Sequence, residues 1–172
     1  EEYIVKAQKV NHNVINLAYS VEELKKPRFL KEKAIELGVP IGPAFKKLHN
    51  GEEIELGGKI IKPKQVLGPT RKGFKITYTG DTAPCEEIIE FAKDSDILIH
   101  EATYIEEDKD KAKEHFHSTS SDAARIAKLS NSKKLILTHI STRYKKTDEL
   151  LKEAKDIFEN TQLANDLMKI EL

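Results

Sequence analysis

Three features of this sequence predict an α/β fold. Short apolar runs of strand length recur from Gly73 onward, as "FKITYTG" (74–80), "DILIHEA" (96–102) and "KKLILTHIS" (133–141). An amphipathic stretch of helical period follows each of them, at 85–94, 118–131 and 148–160. The second and third runs are nearly continuous rather than alternating, as strands covered on both faces of a sheet are. Strands alternating with helices define the class.

Taken in order, "YIVKAQKV" (3–10) reads as a strand and "NVINLAYSV" (13–21) as a second, with Asn11-His12 between them. Residues 22–65 differ in kind. "LGVPIGPAF" (37–45) and "LHNGEEIELGGKII" (48–61) carry Pro and Gly at a density that argues against a compact helical core. Asn50-Gly51 and Gly57-Gly58 suit tight turns between small strands, and the part near 28–37 reads as helical. This stretch is an excursion from the main domain. Beyond it, Pro84 suits the first turn of the 85–94 helix. The Ser/Thr/Asp-rich start of 118–131 suits an N-cap. "QLANDLMKIEL" (162–172) is expected to end in a strand.

At 172 residues the chain fits one domain with a real core. No run approaches the ~18 apolar residues of a membrane-spanning helix, so no membrane association is expected. Cys85 is the only cysteine, which excludes an intrachain disulfide and points to a reducing compartment, the cytoplasm. A net charge of +0 argues against wholesale electrostatic binding of nucleic acid. Residues 25–47 depart from that balance, with seven basic side chains (Lys25, Lys26, Arg28, Lys31, Lys33, Lys46, Lys47) against two acidic ones (Glu32, Glu36). A phosphate-facing patch and a merely solvated surface both fit this excess.

Chemistry collects at strand ends. Asp81 follows "ITYTG", His100-Glu101 closes "DILI", and His139 follows "LILT". In open α/β sheets ligands sit beyond the carboxyl ends of strands. His115 and His117 in "EHFHST" add imidazoles on an intervening loop. Imidazole and carboxylate donors without a thiolate cluster suit zinc or a similar divalent ion in an open hydrolytic site. A carboxylate such as Asp81 can bridge two ions, but two His and one Asp are too few to hold a pair. Ser118 and Thr119 suit a helix cap and, compatibly, contacts to phosphate oxygens. Arg143 suits either a phosphate contact or a loop cap. His49 reads as a surface residue beside the Asn50-Gly51 turn, His100 as a histidine closing a strand, His115 as loop structure and Cys85 as inert.

"YTGDT" (78–82), "HEATY" (100–104), "HFHST" (115–119) and "LILTHISTRY" (135–144) occur in the order found in the ribonuclease Z family, which this sequence resembles. "VNHNVINLAYSVEE" (10–23) and "VLGPTRKGFKITYTGDT" (66–82) extend the resemblance over nearly the whole chain. It implies the metallo-β-lactamase αβ/βα sandwich with a protruding arm, here 22–65, inserted in a domain part spanning 1–172. It also implies a zinc-dependent endoribonuclease that removes the 3′ trailer of precursor tRNA at the discriminator base, leaving a tRNA 3′ hydroxyl. His12, Asp81 and His139 match metal ligands of a two-zinc site, and His117 matches a proton donor to the leaving oxygen, oriented by Glu101. The arm, with Lys25, Lys26, Arg28, Lys31, Lys33, Gly42, Pro43, Lys46 and Lys47, matches the part that grips tRNA. Homodimers are usual in the family.

One departure matters. The family's HxHxDH metal motif is absent, and His115/His117 is the only HxH pair. The expectation is therefore a C-terminal portion with an incomplete site, the remaining ligands coming from an N-terminal segment. Two alternatives stay open: a metallo-β-lactamase-fold phosphodiesterase with other substrates, and a catalytically silent RNA-binding or dimerising fragment.

Overall fold

The computed structural model describes residues 2–170. In chain order the strands and helices are β1 (Glu2–Lys9), β2 (Leu17–Leu24), α1 (Lys31–Glu36), α2 (Pro43–His49), β3 (Ile54–Leu56) and β4 (Lys59–Ile61). There follow β5 (Lys75–Tyr78), α3 (Glu86–Phe91), β6 (Ile97–Glu101), α4 (Lys109–Glu114), α5 (Ser120–Leu129), β7 (Leu135–Thr138), α6 (Asp148–Ile157) and β8 (Thr161–Leu163). The described residues form two compact units, a larger one of residues 3–23 and 74–170 and a smaller one of residues 24–73 with Glu2.

The larger unit is built on a six-stranded sheet in the order β1-β2-β5-β6-β7-β8. β2 and β5 run antiparallel, whereas β5, β6, β7 and β8 are parallel to their neighbours. The near-continuous runs of the sequence are the central strands β6 and β7, where Leu98, Leu135 and Leu137 are fully buried. α5 presses on them through Ala123, Ala124 and Ala127, all 0% exposed. Side chains this small let a helix approach a sheet closely, and Ile88, Ala92, Leu150 and Ala154 from α3 and α6 complete the core. β2 alternates instead: Ala18 and Ser20 are buried, and Tyr19 and Val21 are exposed.

The smaller unit has its own core of Ala34, Val39, Leu48, Ile61 and Val66, flanked by the Phe29 and Phe45 rings at 4.9 Å. β3 and β4 form a hairpin whose two-residue loop is Gly57-Gly58, at φ 56° and 75°. Both residues lie in the left-handed region that such a turn requires. The unit runs to Gly73 rather than residue 65, because Val66 belongs to its core.

Several boundaries differ from the sequence reading. The second strand begins at Leu17, since Val14 and Ile15 are 65% and 84% exposed and gain nothing from pairing there. α2 was hidden by Pro40 and Pro43, which read as breakers, yet Pro43 occupies the first helical turn, where its missing N–H costs nothing. α4 escaped because only Ala112 of its six residues is buried, leaving no apolar period. The last strand lies at Thr161–Leu163 rather than at the end of 162–172, whose Glu171 and Leu172 fall outside the described residues.

Leu48 is the largest fully buried side chain of the small core. Leu48→Ala should destabilise that unit by about 2–5 kcal/mol. The measurement is amide hydrogen exchange over α1, α2 and the β3–β4 hairpin, which should accelerate throughout; unchanged protection there would contradict a shared core.

Candidate metal centre

The site forms where β5, β6 and β7 end. Past β5, Thr79 donates its backbone N–H to Ile99 at 3.1 Å, and Gly80 then turns the chain at φ 62°. A Cβ at Gly80 would stand 2.9 Å from the Asn16 amide nitrogen, which itself donates to the Asp81 carbonyl at 2.8 Å. Both the backbone conformation and this close approach demand glycine. The turn leaves the Asp81 side chain half-buried.

Glu101, the last residue of β6, is 1% exposed. Its Oε1 accepts from the Thr82 backbone N–H at 3.0 Å and from His117 Nδ1 at 2.7 Å. Its Oε2 accepts from the Thr103 N–H at 3.1 Å and the Thr103 hydroxyl at 2.8 Å. Four donors thus offset the desolvation of one buried carboxylate. A carboxylate only accepts, so His117 carries its proton on Nδ1 and keeps an Nε2 lone pair.

His139 follows β7 with φ 54°, a left-handed backbone uncommon outside glycine. Its Nδ1 lies 2.8 Å from the Thr103 hydroxyl and 3.5 Å from Asp81 Oδ1. Two backbone bonds bind the ends of β6 and β7 together: Ala102 N–H to Thr138 at 2.9 Å and Ser141 N–H to Thr103 at 3.2 Å. One ligand atom each from Asp81, His117 and His139 can be chosen so that all lie within 4.8 Å of one another.

His12 lies beside this trio. Its Nδ1 donates to the Phe116 carbonyl at 2.9 Å, which leaves Nε2 free. Its ring is 5.1 Å from that of His117, which in turn is 5.3 Å from that of His139. The residues expected to ligate or to transfer protons therefore converge: His12, Asp81, Glu101, His117 and His139. His117 joins the closest donor group in the position where His12 was expected.

Other expected residues fall elsewhere. Ser118 and Thr119 are fully buried. The Ser118 hydroxyl donates to the Thr82 carbonyl at 2.6 Å. Thr119 forms a capping box with Asp122 at the start of α5. As candidate phosphate contacts these two are corrected to structural roles, because their hydroxyls are spent inside the protein. Arg143 is exposed at the rim, its guanidinium 4.8 Å from the Tyr104 ring centroid and 3.7 Å from Asp108. Lys25, Lys26, Arg28, Lys31, Lys33, Gly42, Pro43, Lys46 and Lys47 are all exposed on the smaller unit. Tyr104, stacked near His115, and Thr103 were missed by sequence reading; both lie inside "HEATY", Thr103 two residues after a glutamate already singled out.

Tyr144, behind the rim, is pushed up to about 12 by burial and by its hydrogen bond to Asp108. Asp108 is held below the usual carboxylate range, chiefly by its hydrogen bond from Lys111 and then by that from Tyr144.

The donor set fits a divalent metal. It consists of imidazole and carboxylate groups without thiolate, and two of its imidazoles, His12 and His117, have Nδ1 tied inside the protein so that Nε2 remains available. This arrangement at the strand ends is a candidate metal site on the metallo-β-lactamase fold. The "Beta-lactamase superfamily domain" family matches residues 31–140, and the chain belongs to that superfamily.

Within it, the chain is similar to proteins named Ribonuclease Z. It is 49% identical over 172 residues to that of Methanothermobacter thermautotrophicus, covering 100% of this chain and 56% of the relative. It is 44% identical over 176 residues to that of Methanosarcina acetivorans, covering 100% and 57%. The chain thus spans little more than half the length of these relatives. The crystal structure of human tRNase Z, short form, superposes with a TM-score of 0.58 at 27% identity, covering 99% of this chain and 44% of that one.

His100 supplies a pH test of the strand end. It is 0% exposed, and its Nδ1 donates to the Glu101 carbonyl at 2.7 Å. Burial holds it below its ordinary 6.5, against the opposing pull of Glu101 and Asp122. The unfolded chain therefore binds the extra proton first as pH falls. The stability this imidazole contributes is present above 6.5 and declines below it. Urea unfolding between about pH 7 and pH 5 should show that decline, and His100→Leu should flatten it. An equally steep decline in the variant would assign it to other groups.

Proposed function

We propose that this chain carries the C-terminal part of the active site of a zinc-dependent ribonuclease Z-type endoribonuclease. The reaction is hydrolysis of precursor tRNA just 3′ of the discriminator base, which leaves a tRNA 3′ hydroxyl and a free trailer. The observation that carries this reading is the convergence of Asp81, His117 and His139 around a buried glutamate that holds one of the imidazoles. Similarity over the full chain to proteins named Ribonuclease Z supports it.

In this reading His12, Asp81 and His139 hold metal, with the remaining ligands coming from an HxHxDH-type segment outside these residues. Bound divalent ions supply Lewis acidity toward the phosphoryl oxygens and lower the pKa of water. His117, once it has taken a proton onto its Nε2 lone pair, gives that proton to the departing 3′ oxygen. Glu101, on Nδ1, orients the ring and stabilises the imidazolium from which the proton leaves. Arg143 at the rim faces the phosphate backbone. The exposed basic residues of the small unit bind the body of the tRNA. A cytoplasmic homodimer is the proposed setting: the lone Cys85 is unpaired, no helix among the described residues is long and apolar enough to cross a membrane, and the family resemblance suggests the dimer.

His117 cannot ligate through Nε2 and donate a proton from it at the same moment, so the two uses can be separated. In the enzyme complete with its HxHxDH-type segment, His117→Ala should lower kcat on precursor tRNA by about 10²–10⁴-fold. Its metal content by elemental analysis should stay at the wild-type level, while Asp81→Ala should lose metal and activity together. Loss of metal in His117→Ala would move it to the ligand set, and wild-type cleavage in either variant would remove that residue's role.

Binding is tested on the chain itself. Its affinity for tRNA should fall with rising salt, and Lys46→Glu with Lys47→Glu should lower both the affinity and the slope of log affinity against log salt, the slope by about 1–2. Unchanged binding would place the tRNA contact elsewhere and favour a phosphodiesterase for other substrates.

A further inference from the structure

The geometry points to Thr103 as a positioning residue that fixes the tautomer of His139 and joins it, through Glu101, to His117 in one hydrogen-bonded unit. Thr103 is 7% exposed, and its hydroxyl is the meeting point of three side chains: Glu101 Oε2 at 2.8 Å, His139 Nδ1 at 2.8 Å and His117 Nδ1 at 3.3 Å.

A threonine hydroxyl has one proton to give and two lone pairs to receive with. The buried carboxylate can only accept, so the hydroxyl proton goes to Glu101 Oε2. What remains toward His139 is acceptor capacity, and the 2.8 Å contact then requires the proton to sit on His139 Nδ1. Asp81 Oδ1, at 3.5 Å from the same nitrogen, is too distant to replace this bond. The His117 proton is already committed to Glu101 Oε1 at 2.7 Å, so the 3.3 Å approach to Thr103 is a secondary contact.

The chain of donation therefore runs from His139 Nδ1–H to Thr103 Oγ1–H to Glu101, and from His117 Nδ1–H to the same carboxylate. Both imidazoles are left with an Nε2 lone pair. The backbone secures the hub as well: the Thr103 N–H donates to Glu101 at 3.1 Å, and its carbonyl accepts from Ser141, two residues past His139, at 3.2 Å. The tautomer assignment stands on this network alone. Its use, presenting His139 Nε2 as a metal donor, rests on the functional reading above.

The test is ¹⁵N imidazole NMR of the metal-free chain at about pH 8, where ordinary imidazoles are neutral. His139 and His117 are assigned by single His→Gln substitutions. In the wild type His139 should carry its proton on Nδ1. Thr103→Ser, which restores the hydroxyl, should keep it there, and Thr103→Val should move it to Nε2 while His117 keeps Nδ1–H on Glu101. A wild-type His139 protonated on Nε2, or a Thr103→Val chain that keeps Nδ1–H, overturns the inference. Should Thr103→Val not fold, the wild type and Thr103→Ser decide, since loss of Nδ1–H in either is disproof. If the chain shows this tautomer but the enzyme complete with its HxHxDH-type segment cleaves no tRNA, the inference is supported while the functional reading is removed.

Discussion

The site depends on one buried negative charge. Taking a carboxylate out of water costs several kcal/mol unless donors replace the lost solvent. Glu101 meets that demand with four of them, drawn from three stretches of chain: Thr82 after β5, Thr103 after β6, and His117 after α4. None of these stretches can drift without uncovering the charge. The loop that presents Asp81 and the loop that presents His117 are consequently held to the same oxygen, Glu101 Oε1. The parallel register of β5, β6 and β7 brings their carboxyl ends to one edge, and Glu101 converts that proximity into fixed side-chain positions.

Two of the five non-glycine residues in the left-handed region among the described residues lie close to the same group. Phe116 and His139 have φ of 58° and 54°. For residues with a side chain such conformations cost on the order of 1 kcal/mol or more each. Each is pinned by a bond that a relaxed backbone would forfeit. The Phe116 carbonyl receives the His12 proton, and His139 reaches Thr103. Gly80 takes the same region of φ without that cost, which is why the turn before Asp81 carries the glycine.

How much of this was legible in the sequence follows from how local each signal is. The strands that build the sheet announced themselves by unbroken apolar runs, Asp81, Glu101 and His139 by their place at or after strand ends, and His117 by the "HFHST" loop that carries it. Thr103 was not legible as a hub, because its importance lies in partners 14 and 36 residues away. The bond from His12 to Phe116 spans 104 residues and leaves no trace in either neighbourhood. For Ser118 and Thr119 the cap reading holds at Thr119, and the phosphate contact is what the sequence could not decide. Their residue types suit phosphate and helix caps equally, and only burial separates the two. α2 was misread because proline breaks a helix interior but starts one well, and sequence shows the residue before it shows the position.

A common direction emerges from the histidines. His12, His100 and His117 each have Nδ1 against an oxygen that can only accept: the Phe116 carbonyl, the Glu101 carbonyl and the Glu101 carboxylate. In each the proton is thereby assigned to Nδ1 and the lone pair to Nε2. What differs is where that lone pair ends up. In His100 it is fully buried and without a partner, so the ring is kept neutral and serves only to hold the end of β6. In His12 and His117 the same tautomer occurs in rings that are not buried, beside Asp81 and His139, where a lone pair has something to bind. The consecutive pair His100-Glu101 shows how the strand separates these uses. Neighbouring side chains point to opposite faces of a sheet, so one residue stabilises the strand from behind while the next organises the chemistry in front.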